Sequence, residues 1–82
     1  MNKTAIEKRI FEIISEIIDI EIDKLTINSK RQDCETWDSL ATVIIFMRLE
    51  EEFGVSFNEE DLKKLDSIQK IYEKIINKIK TL

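Results

Sequence analysis

One serine hydroxyl stands out. Ser39 lies directly behind an aspartate in Trp37-Asp38-Ser39-Leu40, where a helical run begins that closes at Leu49-Glu50-Glu51-Glu52-Phe53-Gly54. A serine becomes a nucleophile when an adjacent base takes its proton, and this chain contains no histidine. Such a hydroxyl is better suited to being modified by another enzyme than to attacking a substrate. Other chemistry finds little support. Cys34 is the only cysteine, so an internal disulfide is excluded. One thiol without histidine also makes no zinc cluster, and the thiol reads as incidental. Asp19, Glu21 and Asp23 alternate like calcium-loop ligands, but the required glycine and final glutamate are replaced by Lys24 and Lys30, which rules that loop out.

The elements that must position Ser39 are helical. Proline is absent and Gly54 is the only glycine, whereas hairpins usually need glycine-type turn chemistry. A first helix is expected from about Thr4, where Thr4 and Glu7 form a capping box, to about Asp19. Ile6, Ile10, Ile13, Ile14 and Ile17 recur along it at helical spacing. The pattern then breaks from Ile20 to Asp38, although Ile20-Glu21-Ile22-Asp23 alternates as a strand would. Leu25 and Ile27 are apolar and should pin this long connection to the core. Asn28, Ser29, Asp33 and Thr36 supply turn-forming side chains.

A second helix should run from Ser39 to Phe53, with Asp38 as its N-cap and Gly54 just past its end. It carries two apolar stripes: Ile45, Leu49 and Phe53 in one, and Leu40, Val43, Ile44 and Met47 in the other. A surface helix needs one such face. The second is either a wider core or a patch for a partner. Val55 and Phe57 anchor the next loop. Asn58 caps a short third helix through Leu65. Asp66 and Gln69 form a cap for a last helix bearing Ile68, Ile71, Tyr72, Ile75, Ile76 and Ile79, with Lys70, Lys74, Lys78 and Lys80 on its polar side. Trp37 reads as an anchor packing the long loop on helix two, or equally as a partner contact.

The chain of 82 residues makes one domain, residues 1–82, too small to build a deep catalytic cleft. Its net charge of -4 is unevenly spread. Between Asp33 and Asp61 nine acids face Arg48 alone, a net of -8 that leaves +4 for the rest. An acidic field around Ser39 argues against nucleic acid as a partner and favours a basic protein surface. No secretory signal and no apolar run of membrane-spanning length is present, so a cytoplasmic monomer is expected.

Taken together, Asp38-Ser39-Leu40 at a helix start, Leu-Glu-Glu-Glu-Phe-Gly at its end, and three long helices with one short helix and a long first loop resemble the acyl carrier protein family. The correspondence covers nearly the whole chain. It is strongest from Trp37 to Phe57, while the first helix agrees only in pattern. The resemblance implies an all-α bundle without enzymatic activity. It also implies a 4'-phosphopantetheine arm attached covalently to Ser39, whose terminal thiol holds a cargo as a thioester. A phosphodiester there would sit at a helix N-terminus, where free N–H groups and the dipole favour an anion. Asp38 and Leu40 complete the motif, and Asp38 would help bind the modifying enzyme or its magnesium ion. The partners implied are a phosphopantetheinyl transferase and acyl-loading and acyl-transfer enzymes with basic or apolar docking surfaces. Val43, Ile44, Met47, Glu50 and Glu51 are the expected contacts.

Some positions depart from the fatty-acid carriers. An acid commonly follows Asp-Ser-Leu there and another comes three residues later; here those places hold Ala41 and Ile44. Trp37 replaces the usual small residue. Trp-Asp-Ser-Leu looks more like carriers of dedicated pathways, such as modified-sugar, polyketide or amino-acyl systems. Two alternatives stand beside a fatty-acyl carrier: an amino-acyl carrier, and a small helical interaction module that is never modified.

Overall fold

A computed structural model describes residues 2–80. Four α-helices follow in order: α1, Lys3–Ile18; α2, Ser39–Phe53; α3, Glu59–Lys64; and α4, Ile68–Lys80. Helix α1 packs against both α2 and α4, so the three long helices form the bundle and α3 closes one end beside α2. The all-α class is as expected.

The N-cap of α1 lies two residues before the expected one at Thr4. It is Asn2, whose side-chain oxygen accepts from the amide of Ala5 at 2.8 Å. Asparagine caps better than threonine, which leaves Thr4 inside the first turn. The helix ends where Asp19 turns left-handed at φ 56°, a conformation that aspartate tolerates better than most residues. The Ser15 hydroxyl then donates to the carbonyl of Ile20 at 2.6 Å, fixing the exit of the chain.

The connection from Ile20 to Asp38 is ordered, and it is not a strand at Ile20–Asp23. A single 3-10 turn spans Ile22–Lys24, with Ile20 packed on the core and Ile22 left exposed. Leu25 is buried and Ile27 packs beside it, as the sequence indicates. Further along, the chain pairs with the turn between α3 and α4. Gln69 N donates to Ile27 O at 2.9 Å, Ile68 N to Ser29 O at 3.0 Å, and Arg31 N to Asp66 O at 2.8 Å. This pairing changes the expected cap of α4. Ser67, not Asp66, caps the helix through its hydroxyl, which accepts from Lys70 N at 3.2 Å. The Asp66 carboxylate is instead bound by Lys70 Nζ at 3.0 Å, which holds it below the usual carboxylate range. A second 3-10 turn, Arg31–Asp33, leads towards α2.

The core is dominated by isoleucine. Ile10, Ile13, Ile14 and Ile18 of α1 meet Ile45 and Leu49 of α2 and Ile68, Ile71 and Ile75 of α4, all fully buried. Phe46 belongs to this core and was not among the stripes read from the sequence. Its ring meets that of Phe57 edge-on, with centroids 4.8 Å apart. Phe53 is only half-buried at the end of α2. Across the top, Arg9 pairs with Glu52 at 3.0 Å and ties α1 to the last turn of α2.

A domain of this size is stable by roughly 4–12 kcal/mol. Leu49→Ala should therefore remove a large share, about 2–5 kcal/mol. Phe53→Ala should cost less than Leu49→Ala, and exposed Glu51→Ala about 0.5 kcal/mol or less. Urea titrations of the three variants measure this order; equal losses would show that the phase of α2 is wrong.

Candidate functional site

Helix α2 starts where the sequence placed it, and its first turn is built by Asp38. The Asp38 carboxylate accepts from the amide of Ala41 at 2.8 Å, while its carbonyl accepts both from Thr42 N and from the Thr42 hydroxyl, each at 2.9 Å. An α-helix leaves its first amides without intrahelical partners. Asp38 takes up that of Ala41, so the amides of Ser39 and Leu40 remain available. Behind the cap, the Trp37 ring is buried in the core, and its backbone amide donates to Cys34 O at 2.9 Å. Trp37 is thus the anchor that sets the entry of the chain into α2. Its indole N–H finds no acceptor among the described residues, a cost that the buried ring area must outweigh.

Ser39 is exposed, and no protein group binds its hydroxyl among the described residues. Most other serines are committed. The Ser15 hydroxyl donates to Ile20 O, Ser29 Oγ accepts from Thr26 N at 2.9 Å, and Ser67 is buried as the cap of α4. Ser56 is exposed, but it lies in the loop after Gly54 and not at a helix start.

Beside Ser39 runs an open groove of about 400 Å³, lined by Arg31, Ser39, Thr42, Val43, Leu62 and Lys63. Sequence reading did not foresee it, because its walls come from three separate segments. Arg31 braces it. One guanidinium nitrogen donates to Leu62 O at 3.0 Å and another to Lys63 O at 3.1 Å, holding the C-terminal end of α3 against the loop. Lys63 is exposed and has no ion-pair partner among the described residues.

The remaining site residues lie on the outer face of α2. Leu40 is 69% exposed, Met47 55%, Val43 43% and Ile44 39%. The second apolar stripe is therefore a surface and not a wider core. Glu51 is exposed, whereas Glu50 is half-buried and accepts the amide of Phe57 at 2.8 Å, bracing the loop into α3. Cys34 stands apart; burial, reinforced by the charge of Asp33, pushes its thiol above the ordinary value, which disfavours the thiolate. No cluster of three metal-binding side chains is found among the described residues.

This geometry fits a covalent anionic group on Ser39: an unengaged hydroxyl, two free amides and two nearby cations. Comparison with known proteins identifies the family. Residues 8–75 match the phosphopantetheine attachment site family. The acyl carrier protein of Buchnera aphidicola subsp. Schizaphis graminum (strain Sg) is 40% identical over 75 residues, covering 92% of this chain and 95% of that relative. The acyl carrier protein of Buchnera aphidicola subsp. Acyrthosiphon pisum (strain 5A) is 40% identical over 73 residues, covering 89% and 91%. The chain belongs to the acyl carrier protein family. It is a carrier and not an enzyme, and its cofactor is 4'-phosphopantetheine. No helix among the described residues is long and apolar enough to cross a membrane.

The cap and the serine should separate in stability measurements. Asp38→Ala removes the acceptor for Ala41 N and should cost about 0.5–2 kcal/mol. Ser39→Ala removes a hydroxyl without protein partners and should stay within about 0.5 kcal/mol of the parent. Thermal or urea unfolding of the two apo variants gives the comparison, and a large loss from Ser39→Ala would mean that its hydroxyl has a structural bond.

Proposed function

We propose that Ser39 carries the phosphopantetheine arm and that the protein delivers a thioester-bound cargo to the enzymes of a biosynthetic pathway. The observation that carries this reading is the exposed, unengaged Ser39 hydroxyl at the first position of α2. The chain has no histidine to activate a serine, so the hydroxyl serves as an acceptor for a modifying enzyme. Asp38, next to it and exposed, is free to meet that enzyme while it caps the helix. Incubation with a phosphopantetheinyl transferase and coenzyme A should add one arm, on Ser39, and Ser39→Ala should stay unmodified. An arm on Ser29, Ser56 or Ser67, or none with several transferases, would sink the assignment.

The partners proposed are that transferase and the enzymes that load and accept the cargo. Their contact is the outer face of α2, with Val43, Ile44 and Met47 supplying apolar area and Glu50 and Glu51 charge. Fully burying an exposed side chain of this kind is worth about 1.5–3 kcal/mol, and these are already partly covered, so each offers a fraction of that. Such a face favours dedicated loading enzymes over those that dock mainly through basic residues. Ile44→Glu should leave the fold intact. It should weaken transfer by the cognate enzymes, because a charge then needs desolvation, and should improve recognition by enzymes with basic docking surfaces. Acyl transfer by each enzyme set, alongside circular dichroism, measures both effects. Unchanged transfer with both sets would mean that this face does not select partners.

A further inference from the structure

Taking an arm from coenzyme A poses a charge problem at Ser39. The serine sits in a segment of net -8, with exposed Asp38 beside it. That field attracts a basic enzyme, but it opposes the donor, whose diphosphate must come up to the same hydroxyl. Reacting atoms approach to about 3–3.5 Å, well inside a Debye length of roughly 8 Å. Only groups close to the serine can therefore offset the repulsion. Arg31 and Lys63 are the two bases that line the open groove with Ser39, and their situations differ. Arg31 donates to the carbonyls of Leu62 and Lys63, which fixes the backbone that carries Lys63. The Lys63 side chain is exposed and has no ion-pair partner among the described residues. A compact charge on a flexible stem can follow a phosphate whose position and charge change during a reaction.

We propose that Lys63 is a cation which the carrier itself supplies to the diphosphate of coenzyme A while the arm is transferred. This rests on Ser39 being the attachment residue. In the transfer, Ser39 Oγ forms a bond to the phosphorus that bears the pantetheine. The bond from that phosphorus to the bridging oxygen breaks, and the oxygen leaves with the electron pair as part of adenosine 3',5'-bisphosphate. The serine proton goes to a base of the transferase. Negative charge gathers on the second phosphate as the bond breaks, one bridging oxygen from the reacting centre. Cations aimed at such charge assist phosphoryl transfer, and Lys63 shares the groove with the attacking hydroxyl. Arg31 is a positioning residue, because its bonds hold the end of α3 whether or not a donor is present.

The test measures how coenzyme A changes the affinity of the apo carrier for a phosphopantetheinyl transferase. Ser39→Ala serves as the parent, so that no arm is transferred during the measurement. Coenzyme A should tighten the complex. By linkage, that gain equals the gain in donor affinity which the carrier brings, so it reports on the donor and not on docking alone. Lys63→Met keeps the stem and removes the charge; it should reduce the gain roughly two- to fivefold, the range of an exposed ion pair. Lys63→Arg should restore it. Lys64→Met changes the neighbouring lysine, which pairs with Glu60 outside the groove lining, and should leave the gain as in the parent. Circular dichroism should show all three variants folded, since both lysines are exposed. The proposal is overturned if coenzyme A leaves the affinity of the parent unchanged, or if Lys63→Met and Lys64→Met give the same gain. With Ser39 restored, peptide mapping places the arm. An arm found elsewhere removes the attachment reading and this role with it, whereas an arm on Ser39 beside an undiminished gain in Lys63→Met removes only the role of Lys63.

Discussion

The surroundings of Ser39 depend on a short stretch of backbone pairing. Residues 27–31 and 66–69 exchange three hydrogen bonds, from Gln69, Ile68 and Arg31 to Ile27, Ser29 and Asp66. A connection as long as that from Ile20 to Asp38 is seldom ordered without such support, because its polar groups need partners wherever they leave water. Once pinned, the loop does two things. It brings Trp37 into the core just before α2, and it brings the Arg31 guanidinium to the carbonyls of Leu62 and Lys63. Helix α3 has six residues, too few to be stable alone. It survives on the Asn58–Asp61 capping box, the brace from Arg31 and the pairing of Lys74 with Asp61 at 3.6 Å.

Helix α2 divides its labour by face. Ala41, Ile45, Phe46 and Leu49 face the core, so the helix is held by burial and not by intrinsic propensity. That leaves the opposite stripe free of any structural duty. Leu40, Val43, Ile44 and Met47 are exposed together on it. Rigidity on one side and bareness on the other suit a carrier. Ser39 stays fixed relative to the fold at the start of α2, yet remains exposed.

Much of this was legible in the sequence. The strict isoleucine spacing of α1 and α4 and the Asp38 and Gly54 boundaries of α2 fixed three helices closely, because period and capping chemistry are local signals. The place of Ser39 at the start of α2 could be read for the same reason, from its neighbours. Errors came where a distant segment decided. Asp66 and Gln69 form a plausible cap in isolation, but the amide of Gln69 is taken by Ile27, 42 residues earlier, and Ser67 caps instead. The Ile20–Asp23 alternation has no strand to pair with among the described residues, and the chain forms a 3-10 turn at Ile22–Lys24 instead. Phe46 was missed since its partner, Phe57, reaches it only after the chain has reversed. The groove was invisible for the same reason. At the start of α1, the error was one of rank, with Asn2 outcompeting Thr4.

The electrostatics follow from that chain reversal as well. The acidic block runs from Asp33 to Asp61, and Arg31 and Lys63 are the first bases beyond its two ends. Folding closes the block on itself, so the bases at its borders meet in the groove beside Ser39. Inside the block, Arg48 is 3.9 Å from Glu16 of α1 and is not available to the serine. A protein approaching from a distance meets a net negative field, which attracts a basic surface. Within a Debye length, about 8 Å at physiological ionic strength, an anion at Ser39 meets two cations instead. The two ranges act on different things: the long one on an approaching protein, the short one on an anion close to the serine. Because the short-range cations sit on α3 and the loop and the exposed apolar stripe sits on α2, a mutation can change one without disturbing the other.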